Sequence, residues 1–291
     1  MGFLPYVLLV MVPGLLLTLW AAHRVRSTYS KWAKVDSGIS MSAFDFARYL
    51  LNAQGLTEVK VEPTPGTLTD HYDPRTRALR ISTGVAARQQ PSPLGGGMGR
   101  TMGRGFGAPM GGGSGAPIGG GSGAPMGGGY AYGASAVPGA TAVPRATEPL
   151  NGRLSVAQVA VIAHEVGHAQ QHASHDPLMA LRQTIVPVAQ FGSTIAPWLL
   201  IAGLFLRITN LMLVGLVFFA AAVAFTFITL PVEFGASRRA LAFVEPMGLT
   251  GERADGARQV LGAAGWTYVA AALTALLTFL YYFMLVGGTR R

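Results

Sequence analysis

The stretch "AVIAHEVGHAQQH", residues 160–172, sets His164 and His168 four residues apart, with Glu165 directly after the first histidine. In a helix of 3.6 residues per turn, positions four apart share one face a single turn apart, so two imidazoles can converge on one ion. Neutral imidazole suits zinc, and a carboxylate beside the first ligand can reach a metal-bound water without binding the metal itself. The surrounding residues favour a helix. Ser155 and Gln158 are spaced as a capping box, and Val159, Ile162, Ala163 and Val166 form an apolar stripe. Gly167 and Ala169 leave room around the second histidine. A solvated His pair on a surface helix would show the same spacing. Here, however, ionisable groups interrupt a stripe suited to burial, which carries a desolvation cost unless they are partnered.

Zinc at such a site takes a third protein ligand. The chain has no cysteine, so the ligand must be His, Asp or Glu. The motif could continue with a glycine at 171 and a histidine at 174, but those positions hold Gln171 and Ser174. His172 extends the helical row, yet it lies two turns from His164, too far on a straight helix. His175 and Asp176 precede Pro177 and read as loop or capping residues. Glu233, in "LPVEFGASRRA" (230–240), is a lone carboxylate at the end of an apolar run and needs a partner. It is the expected third ligand. The alternative is an ion pair with Arg238 or Arg239, about one helical turn away.

The remainder of the chain suggests a membrane. Only 12% of residues are charged, against about 25% in soluble domains. Four runs approach the roughly 20 apolar residues that cross a bilayer: 3–22, 185–206, 211–230 and 266–286. Pro187, Gln190 and Pro197 interrupt the second, and Pro231 marks a break after the third. No positive residue precedes the first run, whereas Arg24, Arg26, Lys31 and Lys34 follow it, which suits an uncleaved anchor with its N-terminus outside. Residues 23–184 and 231–265 are then cytoplasmic. Of the 22 Lys and Arg residues, only Arg207, Arg290 and Arg291 fall outside. The net charge of +9 is spread along the chain with no accompanying nucleic-acid motif, so no nucleic-acid partner is expected. The four runs contain no charged residue, which argues against an ion pathway.

Between the first run and the histidine motif, Ser42–Leu56 reads as a helix capped by Ser42, with Asp45 at the box position and Gly55 ending it. Phe46, Ala47, Leu50 and Leu51 make its apolar face. The segment "VKVEPTPGTLTDHYDPRTRALRISTG" (59–84) reads as a small β-meander or hairpin whose second alternating stretch is Ala78–Ser82. Residues 91–147 are low complexity: GAPMGGGS at 107–114 recurs as GAPIGGGS at 115–122 and GAPMGGG at 123–129. Glycine at this density loses too much backbone entropy to fold, so 91–150 is expected to be a flexible insertion dividing an α+β part (23–90) from the motif region (151–184).

Four stretches together resemble the YugP-type membrane zinc metallopeptidases, also called neutral zinc metallopeptidases: "GTLTDHYDPRTRALRIS" (66–82), "AHEVGHAQQH" (163–172), "LPVEFGASRRAL" (230–241) and "TYVAAALTALL" (267–277). The resemblance implies a mainly α membrane protein with four transmembrane helices and a small α+β zincin-like catalytic domain. It implies one Zn2+ held by His164, His168 and Glu233, with Glu165 as general base. A multi-pass protein of the plasma membrane, with its active site on the cytoplasmic face and protein or peptide substrates, would follow. The chain is more distantly similar to the HtpX-like and CAAX-processing gluzincins. There an aspartate four residues after the glutamate supports a ligand; here that position is Ser237, and Gly235 also lacks a carboxylate. An extended substrate could add to strand Ala78–Ser82, and His71 or Tyr72 could stabilise the oxyanion, although "DHYDP" also reads as a turn closed by Asp70 and Asp73. The competing function is a non-catalytic membrane scaffold with a structural metal.

Overall fold

The computed structural model describes residues 3–82 and 153–288; the glycine-rich insertion expected at 91–150 lies outside them. The chain begins with one helical rod: α1 (Phe3–Tyr6), a π-helical turn (Val7–Met11) and α2 (Val12–Trp32). Three more long helices follow in the second half: α5 (Pro177–Phe205), α6 (Thr209–Val244) and α7 (Gly251–Gly288). These four units are long and apolar enough to cross a membrane. In their most apolar windows only 17–28% of residues are buried, and Leu16, Phe191, Val217 and Phe283 stand exposed. Apolar side chains bared to this extent fit a lipid surround and not water.

The helices overrun the apolar runs. α5 starts about two turns before residue 185, α6 continues past 230, and α7 starts well before 266. Apolar composition reports where lipid begins, whereas a helix continues until something stops it. The break expected at Pro231 does not occur, and Pro187, Pro197 and Pro231 all lie inside helices. Each costs a backbone hydrogen bond, a loss that neighbouring helices can offset in such bundles. A tight turn joins α5 and α6, with Arg207 in the left-handed region (φ 56°).

The part between α2 and α5 builds a small layer. α3 (Ala43–Ala53) starts at Ser42, whose hydroxyl accepts the Asp45 N–H. Its buried face is Phe46, Ala47, Leu50 and Leu51. Strands β1 (Lys60–Thr64), β2 (His71–Asp73) and β3 (Ala78–Ser82) form one mixed sheet in the order β1-β3-β2. β2 and β3 make the expected hairpin, but there is no meander: β1 pairs with β3 in parallel, on the side away from β2. The turn-rich residues 65–70 carry the chain across the sheet instead of folding β1 onto β2. β3 therefore has both edges occupied, and an extended substrate cannot add to Ala78–Ser82.

Helix α4 (Val156–Ala173) completes the layer. It has the full Ser155–Gln158 capping box, and Val159, Ile162, Ala163 and Val166 are at most 1% exposed. The chain leaving α2 clasps its start: Ser37 N–H donates to Leu154 O, and Val156 N–H donates to Val35 O. One core joins α3, β3 and α4 to the near ends of α2, α6 and α7 through Trp32, Leu79, Val166, Ala240 and Val260. The motif helix is thus fixed against the bundle end from which the basic flank of α2 emerges.

Candidate metal centre

α4 crosses α6 closely because Gly167 has no side chain. A Cβ built there would lie 2.7 Å from the Ala236 carbonyl oxygen. Small residues allow helices such an approach. Glu233 is three residues before Ala236, so the crossing carries its carboxylate over the two histidines. Glu233 Oε2 lies 3.3 Å from Nε2 of His164 and 3.3 Å from Nε2 of His168. One ligand atom from each residue falls within 4.8 Å of the others. Zinc bonds of about 2.0–2.1 Å at the tetrahedral angle separate adjacent ligand atoms by about 3.3–3.4 Å. The two measured gaps match that edge. The donor set, two imidazole nitrogens and a carboxylate oxygen with Glu233 only 3% exposed, fits a zinc ion.

The outer ring nitrogens are also held. His168 Nδ1 is 2.9 Å from Gln171 Oε1, and Gln171 Nε2 donates to the Val232 carbonyl at 2.9 Å. With its amide so oriented, Gln171 accepts a hydrogen bond from Nδ1–H and leaves the Nε2 lone pair free for a metal. Gly235 makes room for this amide, since a Cβ there would sit 2.9 Å from Gln171 Nε2. Ser237 places its hydroxyl 3.2 Å from His164 Nδ1. The support expected from a carboxylate is provided by a hydroxyl and an amide.

Glu165 points to the sheet. Its Oε2 accepts the Tyr72 N–H at 2.9 Å, a donor that the edge strand β2 turns outward from β3. Burial pushes the Glu165 carboxyl up to about 7; the Glu233 charge adds to this, while His164 and the Tyr72 N–H oppose it.

The other sequence candidates do other work. His71 has Nδ1 2.8 Å from the Thr69 carbonyl and Nε2 3.5 Å from Arg80, on the opposite sheet face from Tyr72. The Tyr72 hydroxyl is 2.9 Å from His172 Nδ1. Asp73 closes the turn by accepting the Arg75 N–H, but Asp70 reaches across the sheet to Ser82 N and Oγ. Asp176 caps α5 and pairs with Arg239 at 3.2 Å. Arg239 is therefore engaged elsewhere. The cation at Glu233 is Arg182, from the early turns of α5, with Nη1 3.4 Å from Oε1. Tyr268 of α7 also lies close to the Glu233 side chain. Sequence reasoning missed both, because nothing in a linear pattern links residues 182, 233 and 268. Gln171 could have been found: three residues after His168, it shares that face of the helix.

Comparison with known proteins identifies the family. The family described as "Putative neutral zinc metallopeptidase" matches residues 7–92 and 143–287. The "Putative membrane protease YugP" of Bacillus subtilis (strain 168) is 32% identical over 275 residues, covering 94% of this chain and 93% of that protein. No solved structure matches. With matches spanning the first helix, the sheet, the histidine motif and the helices that carry Glu233 and Tyr268, the chain belongs to the neutral zinc metallopeptidase family.

Proposed function

We propose that this protein is a multi-pass membrane peptidase that hydrolyses peptide bonds at a single zinc ion held by His164, His168 and Glu233. The observation that carries the reading is the convergence of Glu233 Oε2 on both imidazole Nε2 atoms at 3.3 Å, with the Glu165 carboxyl beside them. Zinc at this position would polarise the scissile carbonyl and acidify water. Glu165 takes the proton of the attacking water on a carboxylate oxygen and later gives it to the leaving amine. Tyr72 orients Glu165 through its N–H. Gln171 favours the His168 tautomer that leaves Nε2 unprotonated, and Ser237 holds the His164 ring at Nδ1.

The zincin-like unit comprises the sheet and α4, and its third ligand comes from a lipid-flanked helix. Its cytoplasmic placement is supported by Arg24, Arg26, Lys31 and Lys34, which lie at the end of α2 that packs on this layer. Trp20 and Trp266 meet edge to face at 5.5 Å, with Arg24 over Trp20, as residues do at a membrane interface. The experiment is Glu165→Gln in the full-length protein, with zinc content and the cellular proteome compared with wild type. Retained zinc and accumulated intact substrates are expected. Retained zinc with an unchanged proteome would favour a scaffold with a structural metal and overturn the peptidase reading.

A further inference from the structure

Glu233 has two carboxylate oxygens, and the protein treats them differently. Oε2 faces His164 and His168 at 3.3 Å each, whereas Oε1 faces Arg182 Nη1 at 3.4 Å. Arg182 is drawn inward with a side chain only 16% exposed, although it precedes an apolar helix and could have extended into water. A cation placed there loses hydration, and among the described residues its ion-pair partner is the buried carboxylate of Glu233. Tyr268, from α7, lies near the same carboxylate. Three helices, α5, α6 and α7, thus meet at one side chain. The neighbouring arginines do not compete: Arg239 is taken by Asp176, and Arg238 lines a groove with Phe234 and Arg258 on another side of α6.

We infer that Arg182 and Tyr268 are positioning residues that restrict Glu233 to single-oxygen coordination and so keep the fourth position of the metal open. The inference rests on the zinc reading above. A glutamate free to rotate could offer both oxygens to the ion and occupy the place that water and substrate need. The ion pair on Oε1 opposes that rotation, and the Tyr268 side chain, from a separate helix, lies beside the same carboxylate. Outer partners of metal ligands typically alter affinity 10–100-fold when removed.

The test uses the full-length protein in detergent, as wild type, Arg182→Met, Arg182→Lys and Tyr268→Phe, with helix content checked by circular dichroism. Zinc affinity is measured by chelator competition, and the visible spectrum is recorded with cobalt replacing zinc. Four-coordinate cobalt absorbs more strongly than five-coordinate cobalt. Arg182→Met is expected to lower zinc affinity about 10–100-fold and to weaken and shift the cobalt bands. Arg182→Lys should recover part of both, and Tyr268→Phe should show the same change to a smaller extent. If Arg182→Met fails to fold, Arg182→Lys and Tyr268→Phe decide the matter by the same two readouts. Folded variants with wild-type zinc affinity and wild-type cobalt spectra would overturn the inference, even if activity fell, because Arg182 would then act on substrate. A wild-type protein that binds neither ion would instead overturn the zinc reading together with the inference.

Discussion

Replacing Gly167 with alanine tests the helix crossing on which the site depends. The new Cβ would lie 2.7 Å from the Ala236 carbonyl oxygen, 3.1 Å from its Cα and 3.2 Å from its carbonyl carbon. All three are backbone atoms, so no rotamer change relieves the contact. Ordinary van der Waals contact begins near 3.4 Å, so α4 and α6 must part by about 0.7 Å, the difference between 3.4 and 2.7. Alanine is better than glycine in a helix by up to about 1 kcal/mol, while overpacking costs about 1–3 kcal/mol. Stability should therefore fall by at most about 2 kcal/mol. The metal should suffer more. Coordination distances tolerate only about ±0.2 Å, and Glu233 is less than one turn from the point of collision. Zinc affinity should drop tenfold or more, measured by chelator competition on the full-length protein in detergent alongside its melting temperature. Gly262→Ala is the control, since nothing lies within 4 Å of a Cβ there, and zinc affinity should not change. A folded Gly167→Ala protein that binds zinc as tightly as wild type would refute the claim that this crossing sets the ligand distances.

Metal-stripped protein should lose stability as pH rises from about 4.5 to 7, because the Glu165 pKa is raised from 4.5 to about 7 and ionising the buried carboxylate then opposes folding. The contribution is on the order of 3 kcal/mol, and Glu165→Gln should remove it, read as the difference between the two proteins in denaturation midpoint at pH 5 and pH 8. Gln171→Ala should weaken zinc binding about 10–100-fold by freeing His168 Nδ1, with kcat falling in zinc-limited buffer and recovering at saturating zinc. Ser155→Ala removes the α4 cap and should cost about 1 kcal/mol in thermal unfolding while leaving zinc affinity of the folded fraction unchanged. Chelation should abolish peptide cleavage, and stoichiometric zinc should restore it.

Much of the site was legible because it rests on local periodicity. The Ser155 cap, the buried stripe of α4, the four-residue histidine spacing and the Ser42 cap of α3 are all relations within one helix, which spacing reports directly. Glu233 was legible for another reason: a carboxylate at the end of an apolar run is costly unless partnered, and so draws attention. What could not be read depends on contacts between distant segments. The parallel pairing of β1 with β3 depends on how residues 65–70 cross the sheet, not on alternation within either strand. Arg182 looked like the flank of a span, and Tyr268 like an aromatic within one. Helix ends were misplaced for a related reason: hydropathy measures the solvent around a helix, and α5, α6 and α7 each pass from lipid into protein without a break.

The histidine pair sits on α4 and Glu233, the proposed third ligand, on α6, with a hairpin of apolar helix, out along α5 and back along α6, between them in sequence. No contiguous fragment that omits the bilayer-crossing hairpin can then carry all three ligands. Excising the polar portion for study in aqueous buffer would leave the two imidazoles without their carboxylate, and such a fragment should bind the ion poorly however well it dissolves. The hydrophobic helices are consequently part of the active site's scaffold as well as its tether.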